Sequence, residues 1–244
     1  GDIRDLSHLR RVFDEVKPEI VFHLAAQPIV RESYKEPVYT YETNVMGTVN
    51  ILECVRLTDT VRSFLNVTTD KVYENKEWEY GYRECDPLDG YDPYSNSKSC
   101  SELVTHSYKK SFFEDGRCAI STSRAGNVIG GGDWAKDRLV PDIVRALHKG
   151  EEIVLRNPAA VRPWQHVLEP LGGYLLLGYL ASVRYADLSN AYNFGPNPED
   201  TLTVEQMTAL ATDIWGIGKY RVEQNLSAPH EAGLLKLDIS LAKA

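Results

Sequence analysis

The chain has 244 residues, of which 43% are hydrophobic and 25% charged, a composition ordinary for a globular protein. Its formal net charge is −8 without a block of like charges, which argues against a surface for nucleic acid or anionic membranes. No segment approaches the roughly 20 apolar residues that span a bilayer, and no signal-peptide pattern opens the chain. Scattered cysteines without a CxxC pair predict reduced thiols, no metal site and a cytoplasmic location.

The first half of the chain alternates helical and strand patterns. Apolar residues at helical spacing predict helices, and continuous apolar runs are typical of buried parallel strands. The predicted elements, in chain order, are a helix over 6–16, a strand over 20–24, a polar loop, a helix near 39–57, a strand over 64–67, a helix over about 94–113 and a strand over 118–123. Strands separated by helical crossovers indicate an α/β fold with a doubly wound parallel sheet of the Rossmann type.

The second half has a different texture. Its predicted elements are a helix over 139–147, a strand over 154–155, a helix over 168–180, a strand over 191–194 and a helix over 204–214. We interpret part of it as a smaller α/β lobe that binds substrate over the end of the sheet. The predicted sheet domain consists of residues 1–128, and the chain returns to it over 164–196. The predicted lobe consists of residues 129–163 and 197–244.

The chain shows no glycine-rich turn at its start. A dinucleotide-binding sheet begins with a strand, a glycine-rich turn and a helix whose N terminus receives the pyrophosphate. The glycines at 130–132 follow the wrong strand to replace that turn. We therefore expect the chain to be a piece of a longer protein whose glycine-rich unit lies upstream.

The clearest local signal is the pair formed by Tyr94 and Lys98. A Tyr and a Lys four apart lie on one helix face, where the ammonium is expected to lower the pKa of the phenol from about 10. Such a phenol can act as general acid and base for a hydroxyl that is being oxidised. Alone the motif is weak, since Tyr/Lys pairs also occur on solvated helix surfaces.

Polar residues end the buried strand that precedes this helix. Thr68, Thr69, Asp70 and Lys71 follow that strand directly, which predicts polar groups at the carboxyl edge of the sheet, where open α/β folds bind ligands. The alternative interpretation is a strand-ending turn with a helix cap. The neighbouring Tyr/Lys motif favours a site.

Together these motifs resemble the extended short-chain dehydrogenase/reductases over essentially the whole chain. The segments that carry the resemblance are 1–5, 23–27, 44–48, 69–71, 94–98 and 192–195. The resemblance implies bound NAD and a set of cofactor-binding residues, with the first two at the adenine and Lys98 on the nicotinamide ribose. These residues are Asp2, Ile3, Leu24, Ala25, Ala26, Gln27, Thr68, Tyr94 and Lys98.

The triplet Thr69-Asp70-Lys71 separates the relatives within this superfamily. Sugar 4-epimerases lack its acid, dTDP-glucose 4,6-dehydratases carry Thr-Asp-Glu, and CDP-glucose 4,6-dehydratases carry Thr-Asp-Lys. The chain is similar to the last group also in 27–28, 124–134 and 162–167. The resemblance implies a lyase that converts CDP-glucose to its 4-keto-6-deoxy form, on the route to deoxysugars of surface polysaccharides such as the lipopolysaccharide O-antigen.

The same resemblance implies the site residues. The catalytic residues would be Thr69, Asp70, Lys71, Tyr94 and Lys98. Tyr94 would be the base for the sugar 4-hydroxyl, Asp70 would protonate the departing 6-hydroxyl, and Lys71 would be the base at C5. The residues expected to bind substrate are Ser33, in a loop facing the sugar, Asn127, Arg162 and Asn193. His166 beside Trp164 is interpreted as structural.

Three alternatives stay open from the sequence. They are a 4,6-dehydratase of another nucleotide sugar such as dTDP-glucose or GDP-mannose, a UDP-sugar 4-epimerase, and a non-catalytic module that senses NAD. The expected partner is a nucleotide diphosphate sugar, with no nucleic acid and no membrane. Because the superfamily usually pairs through the helix that carries Tyr94, a homodimer or higher homo-oligomer is expected.

Overall fold

The computed structural model describes residues 1–184, 188–223 and 233–244. The strands of these residues are β1 (Ile20–His23), β2 (Ser63–Val67), β3 (Ala119–Ala125), β4 (Val128–Ile129), β5 (Ile153–Leu155), β6 (Val161–Arg162), β7 (Gln165–His166), β8 (Ala191–Phe194), β9 (Leu202–Thr203) and β10 (Tyr220–Val222). The α-helices are α1 (Leu6–Val16), α2 (Val30–Lys35), α3 (Pro37–Tyr41), α4 (Gly47–Arg56), α5 (Pro93–Phe112), α6 (Leu139–Lys149), α7 (Leu168–Arg184), α8 (Val204–Trp215) and α9 (Ser240–Lys243).

A parallel sheet forms the centre of the fold. Its strands lie in the order β1, β2, β3, β8, and every neighbouring pair is parallel. Phe22 lies opposite Leu65, and Thr122 lies opposite Ala191. Helical crossovers connect these strands, which confirms the α/β fold class expected from the alternating patterns.

Alternating side chains of the strands build a separate apolar core on each face of the sheet. On one face Val21 and Phe64 pack with Leu52 of α4 and with Phe113, which follows α5. On the other face Leu65 belongs to a second cluster, with α7 and β8 contributing Tyr174, Leu177 and Tyr192. Because successive strand residues point to opposite faces, Phe64 and Leu65 of the same short strand serve different cores.

The helix expected near 39–57 is divided. A π-helical turn covers Glu42–Met46 between α3 and α4 and contains the buried Asn44. The Asn44 side chain accepts from the backbone N–H of Gln27 at 2.8 Å and donates to the Gln27 carbonyl at 3.0 Å and to Ser97 Oγ at 2.9 Å. The irregular turn therefore positions the Asn44 side chain so that it connects the loop after β1 to α5. Helical periodicity alone does not reveal this connection.

The predicted lobe residues form small sheets and two helices. Strand β5 pairs in parallel with β10, and β6 pairs antiparallel with β9. Helices α6 and α8 pack on β5 around a cluster made by Ile143, Leu147, Ile153 and Leu155. In the described part of segment 164–196, β8 pairs with β3 in the main sheet and α7 packs against that sheet. The division into two domains stays a prediction. Residues 185–187 of the predicted sheet domain and 224–232 of the predicted lobe lie outside the described residues.

Two further features concern the chain as a whole. Among the described residues, no helix is both long and apolar enough to cross a bilayer, and no group of His, Cys, Asp or Glu is arranged to hold a metal. All four cysteines are free thiols.

Candidate active site

A cavity of about 960 Å³ opens at the carboxyl ends of β2 and β3. Its floor is formed by the residues after β2 and the first turn of α5, and its wall by the loop that leads to α6 and by β6. A volume of this size accommodates a ligand larger than a simple sugar. The residues on its surface that concern the chemistry are Thr68, Thr69, Lys71, Tyr94, Asn127, Arg138 and Arg162.

The first turn of α5 is fixed from three sides. Asp92 caps the helix by accepting from the N–H of Ser95 at 3.0 Å, and Pro93 occupies the first turn. Ser33 Oγ accepts from the Tyr94 N–H at 3.0 Å and donates to the carbonyl of Val30. Tyr94 is consequently held by its backbone before any ligand binds.

The Tyr94 phenol is buried, with 8% of the residue exposed, and it interacts with the Thr69 hydroxyl. Burial raises the pKa of Tyr94 to about 12, although the hydrogen bond with Thr69 and the charge of Arg138 act to lower it. The expectation that the pKa would be lowered is therefore wrong for this structure. The physical reason is desolvation, which disfavours the phenolate.

Lys98 lies one helical turn beyond Tyr94 and is 4% exposed. Its Nζ donates to the carbonyl of Val67 at 3.0 Å, so this ammonium joins α5 to the end of β2. Burial lowers the pKa of Lys98 to about 8, against the raising effect of the Glu102 carboxylate. The spacing between Tyr94 and Lys98 places both on the sheet side of α5.

The segment after β2 forms a short 3₁₀ turn over Asp70–Val72. Asp70 is fully buried, and its Oδ1 accepts from Thr69 Oγ1 at 2.9 Å and from Lys71 Nζ at 3.1 Å. Its Oδ2 has no hydrogen-bond partner. Thr69, Asp70 and Lys71 are thus one connected group beside Tyr94, with an acceptor position left over.

A buried ion pair between Glu102 and Arg124 lies beneath the floor of the cavity. Glu102 and Arg124 form two parallel bonds of 2.9 Å, and Thr68 donates to the same carboxylate at 2.5 Å. Arg124 also donates to the Tyr73 hydroxyl, which donates to Asn193 Oδ1 at 2.6 Å. The pair fixes the end of β2 against α5 and β3 through charged hydrogen bonds, which are the strongest kind.

The structure separates the four expected substrate residues into two groups. Asn127 and Arg162 lie on the cavity surface; Asn127 Oδ1 is buried without a partner, and Arg162 donates to the carbonyls of Val161 and Gly233. Ser33 is instead fully buried inside α2, where a loop was expected. Asn193 is also fully buried, and its amide is bonded to Tyr73, Tyr82 and Asp238.

The corrected roles of Ser33 and Asn193 follow from these bonds. Neither residue lies on the cavity surface, and each holds a residue that does: Ser33 holds Tyr94, and Asn193 holds Tyr73. The expectation of a sugar-facing loop at Ser33 is wrong because the segment closes into a helix under the start of α5. Both residues therefore position cavity residues through hydrogen bonds and do not face the cavity themselves.

The residues expected at the cofactor over 24–27 follow the carboxyl end of β1, the edge strand of the described sheet. Leu24 and Ala25 are exposed directly after β1, and Ala26 is partly buried. Gln27 is buried, and its side chain is bonded to Ile29 and Thr40. The Asp2 carboxylate pairs with Arg4 at 2.7 Å, and Ile3 contacts Gly47, where any Cβ would collide with it.

Sequence reasoning missed Asn44, Glu102, Arg124 and Arg138. Glu102 follows Lys98 by one helical turn, so helical spacing could have placed it on the same face. Arg124 begins a segment already noted for its resemblance, without a role. Arg138 precedes α6, lines the cavity and donates to Asp133 at 2.9 Å. No spacing rule links such a loop residue to a distant tyrosine.

Comparisons with known proteins agree with this geometry. A family model described as GDP-mannose 4,6 dehydratase matches residues 1–177. The chain belongs to this family of nucleotide-sugar dehydratases. A curated CDP-glucose 4,6-dehydratase of Salmonella typhimurium is 50% identical over 99% of the chain and 69% of its own length. A dTDP-D-glucose 4,6-dehydratase of Dictyostelium discoideum is 26% identical over 82% of the chain and 46% of its own length.

Solved structures extend the comparison to three dimensions. DesIV, a dTDP-glucose 4,6-dehydratase of Streptomyces venezuelae with NAD bound, is 26% identical, has a TM-score of 0.84, and is matched over 100% of this chain and 71% of its own. A UDP-glucose 4-epimerase of Thermus thermophilus shares the fold, with a TM-score of 0.87, 23% identity, and coverage of 100% of this chain and 76% of its own. The family uses NAD, and its dehydratases are hydro-lyases.

Proposed function

We propose that the chain carries the active site of a CDP-glucose 4,6-dehydratase, which forms CDP-4-keto-6-deoxy-D-glucose. The observation that carries this proposal is the meeting of Tyr94, Thr69 and Lys71 on the surface of one cavity, with the Asp70 carboxylate buried behind them and bonded to Thr69 and Lys71. An epimerase needs only Tyr94 and Thr69, whereas elimination of water needs an acid and a base as well. The identity to the Salmonella enzyme supports CDP-glucose as the nucleotide sugar.

The residues at the carboxyl edge of the sheet suit NAD. The exposed Leu24 and the small Ala25 offer an apolar surface after β1, and Lys98 uses one of its three N–H groups on Val67. The remaining Lys98 donors are suited to ribose hydroxyls, and Asp2, Ile3 and Thr68 are the further residues proposed to hold the cofactor. Bound NAD would supply oxidation at C4 and the later reduction at C6.

The protein's own groups divide the proton transfers. Tyr94, once its own phenol proton has left, takes the proton of the 4-hydroxyl, and the ketone so formed acidifies the proton on C5. Lys71, half-buried beside Asp70, is proposed to take the C5 proton and to return it later. Asp70 is proposed to give a proton to the 6-hydroxyl as it leaves, and it stands directly behind Thr69 and Lys71 of the cavity surface.

The wall of the cavity is proposed to bind the nucleotide diphosphate. Arg162 carries the planar fork that suits phosphate oxygens, and Asn127 brings an amide to the same surface. An acidic chain can bind an anionic substrate in this way, because its few cations are gathered on one surface. Measuring the turnover of different nucleotide sugars tests the proposed function directly.

That experiment supplies the protein with NAD and, in separate reactions, with CDP-glucose, dTDP-glucose or GDP-mannose. Mass spectrometry and NMR then detect loss of water and a 4-keto-6-deoxy sugar. We expect kcat/KM to be highest for CDP-glucose. Equal turnover of another nucleotide sugar would reject the nucleotide assignment, and epimerised sugar without a keto product would reject dehydration.

The proposal includes a homodimer in the cytoplasm. Helix α5 exposes Leu103 and Phe112, and Leu57 is exposed at the end of the adjacent α4. Apolar side chains on neighbouring helices are the kind of surface that two copies bury. Four free thiols suit a reducing compartment. Light scattering of the wild type and of Leu103→Lys measures the state; an unchanged monomer in both would reject pairing through α5.

A further inference from the structure

One carboxylate joins a turn before α5 to the segment that precedes α9. Glu77 Oε1 accepts from the N–H of Gly233 at 2.8 Å, and Glu77 Oε2 accepts from the N–H of Leu234 at 2.6 Å. Beside it, the Asn75 side-chain amide donates to the Leu234 carbonyl at 3.1 Å. The Glu77 side chain therefore binds two successive backbone N–H groups that lie 156 and 157 residues further along the chain.

The backbone on both sides is shaped for this contact. Glu77 has a φ of 54°, in the left-handed region that residues with a side chain rarely adopt. The Glu77 N–H donates to Asn75 Oδ1 at 2.9 Å, which holds the turn in that conformation. A Cβ atom on Gly233 would come within 2.9 Å of Glu77 Oε2, so a side chain at position 233 would displace the carboxylate.

The segment that Glu77 holds contacts the residue proposed to bind the diphosphate. The Gly233 carbonyl accepts from the Val161 N–H at 2.9 Å and from Arg162 Nη1 at 3.3 Å. Arg162 Nη1 also donates to the Val161 carbonyl at 2.9 Å, and Arg162 is buried at the surface of the cavity. The direction of the guanidinium therefore depends on where the backbone of Gly233 lies.

We propose that Glu77 is a positioning residue for the diphosphate: it holds Gly233, and Gly233 orients the Arg162 guanidinium. This inference rests on the proposed function and deepens it. The described residues that line the cavity include Asn75 and Leu235 but not Glu77, so the carboxylate acts through the segment and not on the substrate. A planar fork that forms two parallel bonds to phosphate tolerates little rotation, which is why its support matters.

The charge of Glu77 and its positioning role have opposite consequences for an anionic ligand. A carboxylate repels phosphate, so by electrostatics alone the removal of its charge would strengthen binding of a diphosphate. Loss of the two N–H bonds instead releases Gly233 and lets the Arg162 guanidinium turn, which weakens binding. The sign of the change in affinity therefore distinguishes the two effects.

The test measures binding of CDP to the protein with NAD present, by isothermal titration calorimetry. Glu77→Ala should raise the Kd of CDP by about fivefold or more, the scale of coupling within one hydrogen-bond network. Glu77→Gln keeps the size of the side chain and one acceptor oxygen, so it should raise the Kd by a smaller factor. Glu79→Ala is the matched control, because it removes the same charge from an exposed position two residues away and should not weaken binding.

A second readout separates positioning from a general structural role. In the Arg162→Lys background the planar fork is already absent, so Glu77→Ala should change the Kd of CDP by less than about twofold. A residue that merely stabilises the fold would lower the affinity by the same factor in both backgrounds. Thermal unfolding shows whether each variant is folded, and Glu77→Gln carries the test if Glu77→Ala is not.

Failure of the positioning role differs from failure of the proposed function. An unchanged or lower Kd of CDP in Glu77→Ala, with normal binding by the wild type, overturns the positioning role and leaves the proposed function standing. Equal losses of affinity in the two backgrounds, or an equal loss in Glu79→Ala, overturn it as well. If the wild-type protein binds no CDP and forms no keto sugar, the proposed function itself fails.

Discussion

The floor and the wall of the cavity are built on different principles. The floor, made by residues after β2 and by α5, rests on buried polar groups such as Asp70, Lys98 and Glu102, each with a defined partner. The wall, made by the loop before α6 and by β6, carries partly exposed side chains, among them Trp134 and Arg138. Precise proton transfer needs the first kind of construction, and ligand binding tolerates the second.

This difference predicts how substitutions divide. Changes to the floor should lower kcat, because floor groups act on the reacting atoms. Changes to the wall should raise KM, because wall groups hold parts of the substrate that do not react.

The largest expected effect comes from Tyr94→Phe. The ring and its packing remain, but the proton acceptor for the 4-hydroxyl is removed, so kcat should fall by about 10²–10⁴ with KM within a few fold. Steady-state kinetics with CDP-glucose measure both constants. Tyr80→Phe, at an exposed tyrosine away from the cavity, is the control and should match the wild type. A normal kcat in Tyr94→Phe would remove Tyr94 from the chemistry.

Lys71→Ala tests the second floor group. The C5 proton loses its base, so incorporation of solvent deuterium at C5 should slow by about 10²-fold, while C4 oxidation stays close to the wild-type rate. NMR of the product formed in heavy water gives the first rate, and quenched single turnovers give the second. Deuterium exchange at the wild-type rate would mean that another group is the base. The triplet Thr69-Asp70-Lys71 would then no longer support dehydration over epimerisation.

Arg162→Lys tests the wall. Lysine keeps the positive charge but cannot form two parallel bonds to a phosphate, so KM should rise by about tenfold and kcat should change by less than a few fold. Inhibition by CDP should weaken by the same factor as KM. A fall in kcat without a change in KM would place Arg162 with the floor and contradict the proposed division.

The smallest effect concerns acid stability of the sheet. Burial, with a smaller contribution from the Lys98 charge, lowers the pKa of His23 to about 3, while an unfolded histidine titrates near 6.5. Between these values the unfolded chain binds more protons, so stability is lost as pH falls from about 6.5 toward 3. Thermal unfolding across this range should show the decline.

His23→Asn provides the comparison for that decline. Asparagine does not titrate, so the melting temperature of the variant should depend less on pH over the same window, even if it is lower throughout. Substitution of His8, which is partly exposed and is hydrogen-bonded to Arg11, should leave the dependence unchanged. Equal slopes for His23→Asn and wild type would assign the acid sensitivity to carboxylates.

The amino-acid sequence by itself determined the sheet and much of the floor. A continuous apolar run marked β1, and shorter strand patterns marked β2 and β3. The spacing of Tyr94 and Lys98 placed both on one helix face, and the position of Thr69-Asp70-Lys71 after β2 placed the triplet at the carboxyl edge. Local periodicity and strand direction are sufficient for these conclusions.

Only the tertiary structure decided which side chains meet. The partnership of Glu102 with Arg124, the burial of Ser33 and Asn193 behind the site, and the π-helical turn at Asn44 join residues far apart in the chain. The raised pKa of Tyr94 is of the same kind, because it depends on how much of the phenol the fold buries. Sequence spacing carries no information on contacts between separate elements, since these are set by how helices and strands pack.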